Sequence, residues 1–184
     1  MARVPLVDRE AFPEEYQYLL GEDALGERNV FRAIGNAPPV LQSYMRYGTT
    51  LWEAGELTTR ERELLILAVA RALDSEYEWH QHVDIGREAG LTDEEIAAIG
   101  RGADENFENC DGFDDRDRAL LAYADAFARG EVTDTIHDGL AEFCETSTLT
   151  GVAMLCSHYV ATARALDALA VPLEGPFVGW QPEE

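Results

Sequence analysis

A chain of 184 residues, 46% of them hydrophobic, has the size of one ordinary domain with a real core. Thirty-six acids face fourteen bases, a net charge of −22, and every base is Arg because the chain contains no Lys. This balance argues against a nucleic-acid partner, which needs a basic stripe, and the missing Lys excludes Schiff-base chemistry and a P-loop. The acids are scattered over helix surfaces and do not gather in a tail. A dispersed acidic coat repels itself and needs salt to stay compact, the pattern of a halophilic protein. No apolar run reaches the roughly 18 residues of a membrane span, and the first residues, MARVPLVDREAF, lack an apolar signal region. The expected location is the cytoplasm, with no membrane partner.

In chain order, residues 10–21 read as a short helix closed by Gly21, and residues 27–35 as another closed by Gly35. Asn36 to Pro39 forms a hinge whose prolines open the next helix. That helix runs from Val40 to Ala54 and ends at Gly55. Leu41, Tyr44, Met45, Gly48, Leu51 and Trp52 fall on one face, which core packing explains better than a cofactor box. Thr58-x-x-Glu61, Ser75-x-x-Glu78 and Thr92-x-x-Glu95 are three capping boxes, each starting a helix. The first helix extends to about Leu73, the second to Glu88 or Ala89 before Gly90, and the third to about Ile99. Residues 100–112 are the only long loop. Helices over 114–129, 133–145 and about 146–170 follow, the last ended by Pro172. From about residue 173 an extended tail begins. No segment alternates as a strand does, so the expectation is an all-α fold of about eight or nine helices in one domain, 1–184.

The stretch 64–73 is apolar on nearly every side and belongs at a centre or in an interface. Subunits supplying part of its cover would make the protein a homo-oligomer. Glu63 opens this helix. Glu61 already fills the capping role, which leaves Glu63 to be explained. Glu78 and His82, four residues apart, share a face of the next helix. Because the two helices join through the short Asp74-Ser75 turn, they should run antiparallel and bring Glu63 level with His82. Glu78 has an alternative role as the acid of its capping box, and His82 as a satisfied core histidine. Ser75 reads as an N-cap in preference to a nucleophile. His80, offset by two residues, points elsewhere, so His80 and His82 do not make a metal site. Cys110, Cys144 and Cys156 have no CxxC spacing and read as buried, inert thiols. No metal or cofactor is expected.

Glu63, then Ser75-Glu-Tyr-Glu78-Trp79-x-x-His82, then Ala89-Gly-Leu-Thr-Asp-Glu-Glu-Ile96, resemble the carboxymuconolactone decarboxylase family, which includes the AhpD-type alkylhydroperoxidases. The likeness runs from about Asn29 to ALDALAVPLEG and covers most of the chain. The peroxidase branch has a Glu, then CxxC, then a His. Here the Glu and His positions match Glu63 and His82, while Ser75 and Glu78 stand where the two redox cysteines would be. The chain therefore resembles the branch without CxxC.

The resemblance implies an AhpD-like helical bundle, trimeric or hexameric, with Glu63, Glu78 and His82 in one pocket. Without thiols, a carboxylate–imidazole–carboxylate set relays protons, which suits decarboxylation or isomerisation of a small organic acid or lactone. Ser75, Trp79 and Arg71 are candidate substrate-binding residues. Arg71 is the best-placed cation of Arg60, Arg62 and Arg71, and its alternative is a surface ion pair. The other readings are a peroxidase-type antioxidant protein with peroxiredoxin activity and a non-enzymatic oligomer that binds a small molecule.

Overall fold

The computed structural model describes residues 2–21, 28–53, 56–102, 107 and 110–182. Among them every regular element is a helix: 3-10 turns over Arg9–Ala11 and Glu14–Leu20, then α1 (Asn29–Ile34), α2 (Pro38–Glu53), α3 (Thr59–Ala72), α4 (Glu76–Glu88), α5 (Asp93–Arg101), α6 (Asp115–Arg129), α7 (Asp134–Ala141) and α8 (Thr146–Leu169). The fold is the all-α bundle that the sequence predicts. The first predicted helix departs from the α geometry. Pro13 sits immediately before Glu14, and the segment winds as a 3-10 helix ending at Gly21. Gly55, the predicted stop of α2, lies outside the described residues, as does much of the 100–112 loop.

The chain divides into two compact units, Met1–Thr50 with Arg164–Pro176 and Leu51–Ala163 with Phe177–Glu184. The first has a small core of Phe12, Leu19, Leu20 and Leu41, with Val7, Tyr16, Phe31, Ile34 and Met45 against it. Gly35 is required there, because a Cβ would stand 2.5 Å from the Phe12 ring.

The second unit is built around α3. Every residue from Glu63 to Ala70 is buried, so this helix has no wet face between its first turn and its last. It packs chiefly on α6 and α4, and then on α5. Trp79, Val83, Ile96, Ile99, Leu120, Leu121 and Leu155 close around it, all at or near zero exposure. One chain therefore supplies the whole cover, and α3 needs no subunit contact to be buried.

Two of the three predicted capping boxes form. Thr58 and Thr92 each accept from the backbone N–H three residues on, while Glu61 and Glu95 accept in return from the cap. The third, at Ser75, does not form: Ser75 occupies the N-cap position of α4 without a side-chain cap bond. Its intended partner Glu78 is 5% exposed and turns inward. Asp74, at φ 51, makes the left-handed step that reverses the chain between α3 and α4.

Candidate functional site

The Thr58 cap fixes the start of α3 and commits Glu61 to the helix end, where it also receives Arg116. Glu63 lies two residues further, about 200° around the axis, and so faces the interior with no exposure. On α4 the four-residue spacing sets Glu78 and His82 on the same buried side. The turn at Asp74 then lays α4 beside α3. His82 Nδ1 lies 2.8 Å from Glu63 Oε2, and His82 Nε2 lies 3.8 Å from Glu78 Oε2. The imidazole thus stands between two carboxyls, bonded to one and just out of reach of the other. Among the described residues, Glu63 Oε1 is buried without a hydrogen-bond partner.

Burial pushes the Glu78 carboxyl up to about 7; His82 opposes the shift and Glu63 adds to it. Glu63 meanwhile keeps the direct bond to the ring, which fixes the Nδ1 side of His82. Tyr159, from α8, stands at 87° to the imidazole with ring centroids 5.2 Å apart, and His158 lies at 88° to Tyr159. Burial lowers His158 to about 4, so it stays neutral. Neither residue was singled out from the sequence. Their signal in the sequence is a His-Tyr pair in the middle of the last long helix.

The predicted binding residues go elsewhere. Trp79 is fully buried, donates its indole N–H to the Gly179 carbonyl at 2.8 Å and packs against Trp180. Arg71 bonds the Gly100 carbonyl at 2.7 Å and Asp74 at 2.5 Å, with its guanidinium over the Trp180 ring. Both converge on Trp180, and Ser75 is half-buried at the start of α4. Arg60 pairs with Asp117 and Glu95, and Arg62 with the Trp52 and Leu57 carbonyls. Cys110, Cys144 and Cys156 are buried free thiols, and burial pushes Cys156 up to about 12. Among the described residues, no group of three His, Cys, Asp or Glu side chains is arranged to hold a metal ion. A groove of about 430 Å³, lined by Tyr18, Gln42, Met45 and Arg46 among others, lies in the first unit and not at the imidazole.

Residues 38–126 match the model of the carboxymuconolactone decarboxylase family. Over that segment, 89 of the 184 residues, the chain is similar to this family. The decarboxylase-family segment contains Glu63, Glu78 and His82, whereas Tyr159 comes from outside it. Three solved structures share the fold. The AhpD core of an uncharacterized peroxidase-related protein from Ralstonia eutropha JMP134 is 20% identical, with a TM-score of 0.81, covering 100% of this chain and 98% of that one. The debrominase Bmp8 in its apo form is 17% identical, with a TM-score of 0.79 over 94% and 92%. An uncharacterized peroxidase-related protein from Silicibacter sp. TM1040 is 18% identical, with a TM-score of 0.73 over 96% and 92%. No curated protein matches the chain. At these identities the likeness is one of fold, and the chemistry must be argued from the residues present. No helix among the described residues is long and apolar enough to cross a membrane.

Proposed function

We propose that this protein is an acid–base enzyme of the carboxymuconolactone decarboxylase family, acting by decarboxylation or isomerisation on a small organic acid or lactone. The observation that carries the reading is the 2.8 Å bond between Glu63 Oε2 and His82 Nδ1, with Glu78 at 3.8 Å from the other ring nitrogen. Glu63 acts as the positioning residue: it holds the ring and stabilises the imidazolium once His82 has taken a proton. His82 moves the proton at Nε2. Glu78, whose carboxyl holds its proton near neutral pH, is the second acid. A carboxyl whose proton burial retains, beside an imidazole held by a second carboxyl, is an arrangement that suits general acid–base catalysis.

The peroxidase reading has less support. Reduction of a peroxide by the family's thiol route needs one thiolate to attack and a second thiol to resolve. Ser75 and Glu78 occupy those positions, and the three cysteines of the chain are buried. We also propose a homo-oligomer, trimer or hexamer, on the family resemblance alone; light scattering that returns the mass of one chain would refute it. The catalytic reading is tested by incubating the protein with a panel of small lactones and keto acids in deuterated water. Proton exchange next to the carbonyl should be catalysed, and should fall at least a hundredfold in Glu63→Gln and further in His82→Ala. Hydroperoxide consumption with a dithiol reductant, lost when all three cysteines are changed to Ser, would favour the thiol route instead.

A further inference from the structure

The acids that cover the chain leave part of the first unit bare. No Asp or Glu occurs between Glu27 and Glu53, and Arg28, Arg32 and Arg46 lie in that interval. Arg32 is held by Asp8, Asn29 and the Leu6 and Val7 carbonyls, and Arg28 also has a partner. Arg46 differs. It is exposed, and among the described residues nothing pairs with its guanidinium.

Arg46 stands in the wall of a groove. Gln42, Met45, Arg46 and Thr49 recur at helical spacing along α2, and Tyr18 and Leu19 of the 3-10 turn Glu14–Leu20 complete the lining of about 430 Å³. That volume falls among sites for small ligands, about 300–1,000 Å³. No acid lines it, although Glu14 and Glu15 begin the same turn.

The lining is rich in hydrogen-bond donors. Gln42 Nε2 donates to the Tyr18 hydroxyl oxygen at 2.6 Å, which leaves the Tyr18 hydrogen to donate elsewhere. Gln42 keeps a second N–H, and the Arg46 guanidinium presents a fork of them. The Ser43 and Thr49 hydroxyls donate back to the Pro39 and Met45 carbonyls and add nothing. Apolar surface comes from Leu19, the half-buried Met45 and the ring of Tyr18, which is 56% exposed. A ligand that matches has charged oxygens at one end and an apolar body at the other. A single arginine balances a single charge, and in a chain of net charge −22 a dianion would keep one charge unbalanced.

We propose that this groove is a second ligand site, sharing no residue with the imidazole site, and that it binds a small monocarboxylate with an apolar body. Arg46 takes the carboxylate through two parallel N–H groups, and the Tyr18 hydroxyl donates to one of the same oxygens. The body lies on Leu19, Met45 and the Tyr18 ring. The site stands whether or not the acid–base reading holds. Both polar anchors are exposed, so the binding is weak, with a Kd of about 1 mM.

Three probes test this: cinnamate, its neutral amide cinnamamide, and phenyl phosphate, a dianion at about pH 8. Each is titrated into the full chain at fixed salt, and binding is read from the NMR signals of the probe. Cinnamate should bind, and the amide and the phosphate about fivefold more weakly or not at all. Arg46→Gln should weaken cinnamate by about fivefold or more, and Arg46→Lys by about two- to threefold, because Lys keeps the charge and loses the fork. Thermal melts check that each variant folds. His82→Gln should leave cinnamate binding unchanged, with Glu63→Gln in its place if that variant does not fold. No binding of cinnamate, equal binding of the amide, tighter binding of phenyl phosphate, or binding that survives Arg46→Gln overturns the proposal. Loss of binding in His82→Gln would put the ligand at the imidazole and overturn it too. So would a change of mass in Arg46→Gln by light scattering, which would give the groove to a second copy of the chain.

Discussion

Glu78 and His158 both lie in the interior, and burial acts on them in opposite directions. Glu78 rises to about 7 from an ordinary 4.5, so the folded chain holds this proton more tightly than the unfolded one. The stability it contributes is fully present below pH 4.5 and is lost as pH rises through 7. A rise of this size corresponds to about 3 kcal/mol. His158 falls to about 4 from 6.5, so its contribution is present above pH 6.5 and is lost as pH falls through 4. The two slopes oppose each other over much of pH 4.5–6.5 and partly cancel in the wild type. Single variants unmask them. Glu78→Gln should melt several degrees above wild type at pH 8 and close to it at pH 4.5, while losing activity. His158→Gln should show its gain near pH 4.5 and little at pH 8. Thermal melts at the two pH values check both, and a Glu78→Gln variant less stable than wild type at pH 8 would contradict the burial argument. Such a trade of stability for a strained acid is expected where catalysis needs it.

At the level of the elements, the three boxes of identical pattern behave differently. Thr58→Ala and Thr92→Ala should each cost about 1 kcal/mol, and Ser75→Ala below about 0.5, because only the first two side chains make the cap bond. Urea titrations of the three variants give the ranking. This contrast also shows how far the sequence was legible. Local rules place α3, α5 and α6 to within a residue or two, since their caps and stops are settled by neighbours in the chain. Turn chemistry and helical period also put Glu63 beside His82. The Ser75 box misleads because burial at the site claims Glu78, and no local rule weighs that. The tail was unreadable for the same reason. Phe177, Val178 and Trp180 pack on the core of the second unit, and Trp180 lies between Arg71, Trp79 and Phe177. These contacts lie far apart in sequence and carry no periodicity. A Cβ on Gly100 would stand 1.6 Å from the Trp180 carbonyl oxygen, so Gly100→Ala must push this segment off or distort α5. We expect a loss of about 1–3 kcal/mol and faster proteolysis near residue 177. The loss should vanish in a chain ending at Pro176; full additivity of the two changes would place the clash elsewhere.

For the whole molecule, the surface charge decides the conditions under which the fold holds. The net charge of −22 rests on 36 acids, which the chain's 14 arginines are too few to neutralise. The ion pairs that do form are concentrated where the second unit needs them. Arg60 joins Asp117 on α6 to Glu95 on α5, and Arg116 joins α6 to the cap of α3 through Glu61. These pairs are half-buried and screened little by salt, whereas like charges on the exposed coat repel over a distance set by the Debye length, about 8 Å at 0.15 M and about 3 Å at 1 M. Raising salt should therefore remove more repulsion from the coat than attraction from the partly buried pairs. Unfolding spreads the same charges further apart, so the repulsion relieved by salt belongs mainly to the compact state. The melting temperature should rise by ten degrees or more between 0.1 and 2 M KCl. Sodium chloride should act nearly as well, since screening depends on ionic strength and not on the identity of the cation. A chemically neutral osmolyte at matched water activity should give a smaller gain. A melting temperature flat or falling in KCl would show that the coat is a passive surface, and that the paired arginines contribute more to stability than the repulsion among the acids takes away.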